Sequence, residues 1–282
     1  MTRPGVLAHR VDGVGEPVLL LNGGMMSIAS WDPVALPLAE RYRVVRCDFR
    51  GQLCSPGATY PGLDEHVADL AALLDALEIE RVHVIGTSFG GEVGLLLAAT
   101  HPARVVSLVA ATVTDVATPA LRDGGGVLAR LCREAAEGGS KPAVAAMLTP
   151  LFYSPAYVAA HLAELSSRAA QVALLPDWWF ARAADLLDSI ADLDLRPVLG
   201  RIACPALIVA AAEDRVMPVE RSQALAAAVP YARLEVVEGS GHVLVAERTD
   251  EFVAICLNFL DAVCGLDERD ARAGDRSGAR TR

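Results

Sequence analysis

The residues best able to do chemistry in this chain are a serine, an aspartate and a histidine that occur in that order. Ser88 is the centre of Gly86-Thr87-Ser88-Phe89-Gly90, between an apolar run typical of a strand and a small-residue run typical of a helix. A serine hydroxyl is a weak nucleophile unless a histidine removes its proton and an acid orients that histidine. This segment therefore predicts nucleophilic catalysis, provided that both partners follow.

A sharp turn between a strand and a helix needs small residues on both sides of the serine. Gly86 and Gly90 meet that need because they carry no Cβ atom that could collide with the neighbouring backbone. The helix that follows directs the positive end of its dipole at the reacting atom. We therefore expect the N–H of Phe89 to stabilise an oxyanion formed at Ser88.

The acid and the base are predicted at the ends of two later strands. The apolar run 206–210 ends shortly before Asp214, and the run 234–237 ends in a glycine loop that carries His242. Sites of open α/β sheets form at the carboxyl ends of the strands. We therefore predict Asp214 as the orienting acid and His242 as the general base.

Two other carboxylates remain alternatives for the acid. Glu213 is adjacent to Asp214, and Asp115 follows the strand-like run 105–109. The remaining histidines have no comparable partner pattern and are interpreted as packing or surface residues; they are His9, His66, His83, His101 and His161.

Composition excludes several classes of protein. The chain has 282 residues, 53% of them hydrophobic, and a net charge of −10, which argues against nucleic-acid binding. No uncharged apolar run reaches the ~18 residues that span a bilayer, and the first residues contain no secretory h-region. Six cysteines without a C-x-x-C pair indicate reduced thiols. We therefore predict a cytoplasmic protein with no membrane or nucleic-acid partner.

The alternation of strand and helix patterns predicts an α/β fold with a mostly parallel, doubly wound sheet. Strands are expected at 18–21, 44–47, 82–85, 105–109, 206–210 and 234–237. The alternation stops at about 115–200, where four helical patterns, around 126–137, 142–148, 155–171 and 177–190, are separated by glycine and proline. We divide the chain into a core of residues 1–114 and 201–264, a helical segment at 115–200 and a disordered tail at 265–282.

Further motifs show that the chain resembles the α/β-hydrolase superfamily over roughly residues 6–263. The segment Leu21-Asn22-Gly23-Gly24 occurs where the family has a strand ending in His-Gly-x, and Trp31 follows as the usual aromatic residue. Residues 48–55 correspond to the family's D-x-R-G-x-G-x-S loop. Two departures concern this region: Asn22 replaces the usual histidine, and Leu53 replaces the second glycine of the later loop.

The resemblance implies a second oxyanion donor and a helical cap. The second N–H donor is expected from Gly24, which occupies the x of His-Gly-x. The segment 115–200 corresponds to the cap that the family inserts over the active site. Trp178 and Trp179 are adjacent and cannot both face one helix core, so one of them is expected to face the substrate pocket. Met25 is expected to bind substrate there as well.

The chain is therefore predicted to be a serine hydrolase that cleaves a small apolar ester, lactone or thioester through an acyl-enzyme. Neither a cofactor nor a metal is implied. The same three residues could serve a carbon–carbon bond hydrolase or a natural-product tailoring enzyme. A third alternative is a ligand-binding protein on a hydrolase scaffold. The oligomeric state stays open, with a homodimer as one option.

Overall fold

A computed structural model describes residues 7–60 and 62–278, with side chains described up to residue 265. Seven strands form a single sheet with the order β1-β3-β2-β4-β5-β6-β7. Only the β1–β3 pair is antiparallel, and the other five pairs are parallel. The strands are β1 His9–Asp12, β2 Pro17–Leu21, β3 Arg43–Cys47, β4 Val82–Thr87, β5 Val105–Ala111, β6 Ala206–Ala211 and β7 Ala232–Val237.

The central strands are buried on both sides, as their apolar sequences require. Every residue of β4 and β6 is buried, which matches continuous apolar runs in a parallel sheet covered on both faces. Thr87 pairs with Ala111, and Ala111 pairs with Val209, so the carboxyl ends of β4, β5 and β6 meet at one edge. The loops that carry the predicted site residues leave the sheet from this edge.

Helices cover both faces of the sheet. The helices α2, α3, α9 and α10 contribute to the apolar core on one face, and α1, α11 and α12 contribute to the core on the other. The helices are α1 Asp32–Ala39, α2 Asp64–Ala76, α3 Phe89–Thr100, α4 Pro119–Ala136, α5 Lys141–Phe152, α6 Pro155–Ala160, α7 Leu162–Ala173, α8 Asp177–Ser189, α9 Arg196–Leu199, α10 Val219–Ala228, α11 Leu244–Glu247 and α12 Thr249–Gly278.

Six helices lie between β5 and β6, and the first five of them, α4–α8, are called here the insert (residues 119–189). The insert has an apolar cluster of its own, in which α4 packs against α8. Helix α4 begins at Pro119, earlier than predicted, and continues through Gly124–Gly126. The Thr118 side chain caps its first turn, and Leu128, Ala129 and Cys132 lie in the cluster. This packing outweighs the roughly 1 kcal/mol that each glycine costs a helix.

The predicted fold class is confirmed, and three local predictions differ from the structure. Strand β1 was not predicted, because its exposed edge position leaves no apolar alternation. The helical pattern at 155–171 is divided into α6 and α7 at His161. Helix α12 continues to Gly278, past residue 265, from which the sequence predicts a disordered tail. Residues 279–282 of that tail lie outside the described residues.

The division of the chain at residues 115 and 201 stays a prediction. None of the helices in the described ranges combines the length and the apolar character that crossing a bilayer requires.

Candidate active site

Ser88 occupies a strained turn between β4 and α3. Its backbone has φ 49° and ψ −126°, a conformation that L-residues rarely adopt and that costs of order 1–3 kcal/mol. A Cβ atom on Gly86 would lie 2.5 Å from the carbonyl oxygen of Gly90, and one on Gly90 would lie 2.3 Å from that of Leu21. The two glycines predicted from the sequence are thus required by backbone contact on both sides of the turn.

Aromatic packing holds the start of α3. The ring of Phe89 packs edge-on against Phe49 and His66, with centroid distances of 5.2 and 5.3 Å. Burial lowers the pKa of His66 to about 4, so this histidine is neutral in the cluster. His66 therefore packs behind the turn, as the sequence indicated.

The structure brings Ser88, His242 and Asp214 together in one hydrogen-bonded row. The Nε2 atom of His242 lies 3.1 Å from the Ser88 Oγ, and its Nδ1 atom lies 2.9 Å from an Asp214 carboxylate oxygen. The other oxygen of Asp214 accepts the backbone N–H groups of Val216 and Met217, both at 2.8 Å. Because both oxygens are engaged and the carboxylate is fully buried, its orientation towards the imidazole is fixed.

Asp115, the main alternative for the acid, points into a different contact. It follows β5 and is buried, and its carboxylate forms an ion pair with Arg221. Glu213, the other alternative, follows β6 and is largely exposed. Of the three carboxylates considered, Asp214 is the one placed against the His242 ring.

The loop after β2 is held by side-chain amides rather than by a histidine. Asn22 donates to Asp48 at 2.8 Å and to Gln52 at 2.9 Å, and all three side chains are buried. Gln52 donates in turn to the carbonyl of Gly23 at 2.9 Å and to that of Gly24 at 3.4 Å. The residue that departs from the family pattern, Asn22, is therefore part of the network that fixes this loop.

A cavity of about 930 Å³ lies between the sheet edge and the insert. Ser88, His242 and both predicted oxyanion donors, Gly24 and Phe89, line it. The insert contributes mostly apolar side chains. Among those lining the cavity are Leu128 of α4, Leu148 and Phe152 of α5, Val172 of α7, and Trp179 and Leu186 of α8.

The predicted substrate-binding residues are only partly brought to this cavity. Met25 and Trp179 line it, and so does Leu53, the replacement for the family's glycine. Trp178 does not line it and is 38% exposed, so its expected role in substrate binding is corrected. Adjacent positions on a helix point about 100° apart. Here the Trp179 side chain faces the cavity, and the Trp178 side chain does not.

The arginines at the cavity are already engaged with protein groups. Arg168 pairs with Glu164, Arg221 pairs with Asp115, and Arg215 donates to the Pro150 carbonyl at 3.0 Å. A bound molecule therefore meets an apolar wall and guanidinium groups that have protein partners.

Glu92 is a buried carboxylate close to the row of three residues, one helical turn after Ser88. It has no exposed surface, and neither carboxyl oxygen makes a hydrogen bond of normal distance and angle within the described residues. Burial raises the pKa of Glu92 to about 7, against smaller opposing effects of the Thr114 backbone and His242. The carboxyl group is thus largely protonated below neutral pH.

Sequence reasoning missed three polar groups around the site. Asp48 and Gln52 lie inside the D-x-R-G-x-G-x-S-like loop, so that motif was the available signal. Glu92 was signalled by a lone charge in the apolar run after the serine, since charged residues are rarely buried unpaired. Within the described parts of the chain, no three His, Cys, Asp or Glu side chains are grouped as metal ligands would be.

Comparison with known proteins gives the class of this molecule. Residues 16–249 match the model of the alpha/beta hydrolase fold family, and the chain belongs to that family. It is a hydrolase, because it is similar in sequence and in structure to proteins named as hydrolases and as an enol-lactonase.

Three relatives illustrate the range of these enzymes. A protein named as the carbamate hydrolase RutD of Azorhizobium caulinodans is 32% identical over 259 residues, covering 90% of this chain and 94% of the relative. A 2-hydroxy-6-oxo-2,4-heptadienoate hydrolase of Pseudomonas putida is 31% identical over 264 residues, covering 89% and 91%. The enol-lactonase of Burkholderia xenovorans LB400 superposes with a TM-score of 0.80 at 26% identity, covering 90% and 96%.

Proposed function

We propose that this chain is a serine hydrolase that forms an acyl-enzyme on Ser88. The observation that carries the proposal is the row of hydrogen bonds from the Ser88 hydroxyl through His242 to Asp214, with the serine and the histidine at the wall of a cavity. A strained serine that contacts an imidazole oriented by a buried carboxylate is arranged for proton removal.

The first half of the reaction follows from these contacts. His242 takes the hydroxyl proton as the Ser88 oxygen attacks the carbonyl carbon, and the carbonyl oxygen becomes an oxyanion. The N–H groups of Phe89 and Gly24 donate to that oxyanion, each worth about 2.7–4 kcal/mol in such sites. His242 then gives its proton to the leaving group as the carbon–leaving-group bond breaks, and Asp214 stabilises the imidazolium in between.

The second half repeats these steps with water. His242 takes a proton from a water molecule that attacks the acyl carbon, and it returns that proton to the Ser88 oxygen when the acyl product leaves. Both halves use the same base and the same donors, so no further side chain is required for proton transfer.

The substrate class that fits the cavity is a small apolar ester, lactone or thioester. The walls contributed by the insert are apolar, and the neighbouring arginines already have protein partners. The insert acts in this proposal as a cap that shapes the acyl site. The cytoplasmic location predicted from the sequence stays a prediction.

A carbon–carbon bond hydrolase is the second candidate. The relative from Pseudomonas putida, named a 2-hydroxy-6-oxo-2,4-heptadienoate hydrolase, favours it. A direct comparison of kcat/KM for p-nitrophenyl butyrate and for 2-hydroxy-6-oxo-2,4-heptadienoate on the same preparation separates the two. We expect the ester to be turned over faster; a reversed order would replace the ester hydrolase by the second candidate.

The acyl-enzyme itself is tested by rapid acid quench of the enzyme with p-nitrophenyl butyrate, followed by peptide mass mapping. We expect the butyryl group on the peptide that contains Ser88. Turnover with the acyl group on another residue, or binding of the ester without turnover as in a ligand-binding scaffold, would contradict the proposal.

A further inference from the structure

The loop that carries His242 is tied to the insert through one glutamate. Glu247, at the end of α11, accepts the Ser154 N–H at 3.0 Å and the Ser154 hydroxyl at 2.5 Å. It also accepts the N–H of Gly241 at 3.0 Å. Ser154 is buried at the start of α6, 93 residues away in the sequence. The carboxylate therefore holds two segments together. One is the connection between α5 and α6 (residues 152–154), called here the α5–α6 joint, and the other is the loop that carries His242 (residues 238–243), called here the histidine loop.

The two residues adjacent to His242 in the sequence, Gly241 and Val243, both bond to groups that connect the histidine loop to the insert. Gly241 is bound by Glu247, and the N–H of Val243 donates to the Phe152 carbonyl at 3.1 Å. A Cβ atom on Gly241 would lie 2.6 Å from that same carbonyl oxygen. The backbone of the histidine loop thus lies directly on the backbone of the α5–α6 joint, and the imidazole is placed between two anchored residues.

The α5–α6 joint also touches the space in which a substrate would lie. Phe152 lines the cavity, and its ring centroid lies 5.0 Å from that of the His242 ring. A displacement of the joint by a bound acyl group would be passed to His242 through these contacts.

We propose that Glu247 is a positioning residue that couples the insert to the base, so that a substrate seated against Phe152 holds His242 in line with Ser88. This proposal rests on the proposed function, because it requires His242 to be the base. Its physical basis is that an ionised carboxylate makes stronger hydrogen bonds than a neutral acceptor does. A misplacement of about 1 Å at a reacting group can lower a rate about 100-fold.

The test uses Glu247→Gln, which keeps the size of the side chain and removes its charge, and Ser154→Ala, which removes the hydroxyl hydrogen bond to Glu247 from the side of the insert and leaves that of the backbone N–H. The matched controls are Glu251→Gln, at an exposed position of α12, and Ser166→Ala, at an exposed position of α7. Each variant is characterised by kcat and KM for a short p-nitrophenyl ester, by active-site titration with a fluorophosphonate, and by Tm.

We expect Glu247→Gln to lower kcat per titrated site by about 10- to 100-fold and Ser154→Ala by about 10-fold, since geometry at the base controls the rate. KM should change less than about threefold, and the control variants should keep the kcat of the natural protein. If Glu247→Gln does not fold, Ser154→Ala carries the test alone, because Ser154 lies in the insert and touches none of the three reacting residues.

A lowered Tm with an unchanged kcat per titrated site in both variants would overturn the coupling and leave Glu247 a structural residue. Failure of the proposed function gives a different result: the natural protein itself would then not be labelled at Ser88 by the fluorophosphonate. The two proposals can therefore fail separately.

Discussion

The sheet edge and the insert form opposite walls of one cavity, and they are built by different means. At the sheet edge, the buried side chains of Asp214 and Gln52 are each fixed by two or more hydrogen bonds. In the insert, the wall is an apolar cluster that includes Phe180 and Trp179, and the adjoining helix α4 contains three consecutive glycines. Hydrogen bonds fix direction, whereas apolar packing fixes mainly volume.

This difference suggests a division of labour. Under the proposed function, we expect the sheet edge to determine whether a reaction takes place and the insert to determine which acyl group is accepted. Substitutions at the sheet edge should therefore change rates for all substrates, and substitutions in the insert should change their ranking.

The largest effect is expected at Ser88. Ser88→Ala removes the nucleophile and should lower turnover by about five orders of magnitude for every ester, because the covalent route is lost. The measurement is kcat for a series of p-nitrophenyl esters, with circular dichroism to establish that the variant is folded. Retention of more than about a tenth of the activity would remove Ser88 from the proposed mechanism.

The next largest effect is expected at Asp214, and it should exceed the effect at Asp115, the alternative acid. Asp214→Asn should cost about 10⁴ in kcat, as in the serine-protease template, because the imidazole loses the partner that selects its tautomer. Asp115→Asn removes the partner of Arg221 and should mainly lower Tm. Measurement of kcat/KM and Tm on both variants decides between them, and a larger loss of rate in Asp115→Asn would move the acid to that residue.

The two adjacent tryptophans test whether the insert selects the acyl group. Trp179 lines the cavity, and Trp178, which does not, is the control. Trp179→Ala enlarges the cavity wall and should shift the preference between short and long acyl groups. It should also destabilise the fold by about 3–5 kcal/mol, a typical value for a buried aromatic residue. Trp178→Ala, at a 38% exposed position, should change stability by no more than about 0.5 kcal/mol and leave the ranking unchanged. An acyl-length series and urea unfolding give both quantities. Equal rankings in the two variants would show that Trp179 does not select the acyl group.

The smallest effect concerns Glu92 and depends on pH. Its pKa is raised to about 7 by burial, so between about pH 5 and 7 the folded state holds a proton that the unfolded state has released. This group therefore destabilises the fold as pH rises through that range, by at most about 1.4 kcal/mol per pH unit, and the loss levels off above pH 7.

Glu92→Gln removes this titration. The free energy of unfolding of the variant, relative to the natural protein, should increase from pH 5 to pH 7 and stay constant above. Urea unfolding at pH 5, 6, 7 and 8 measures it. A difference that does not vary with pH would mean that Glu92 is not buried as a neutral acid.

Much of the sheet edge could be predicted from the sequence because its elements are local. Six of the seven strands follow from short apolar runs, and the turn at Ser88 follows from the two glycines that flank it. The edge strand β1 has no such pattern, since it is not covered on both faces. The insert was less predictable: helix α4 passes through three glycines because its packing against α8 outweighs their low helix propensity.

The sequence by itself determined six of the seven strands, the turn that exposes Ser88, and the position of His242 and Asp214 after strands, with Asp115 and Glu213 left as alternative acids. These follow from local patterns and from the rule that sites lie at the carboxyl edge of a parallel sheet. Only the tertiary structure decided that Asp115 forms an ion pair with Arg221, that Trp179 rather than Trp178 faces the cavity, and that Glu247 connects the insert to the histidine loop. Each of these depends on contacts between residues far apart in the sequence, whose partners no local pattern specifies.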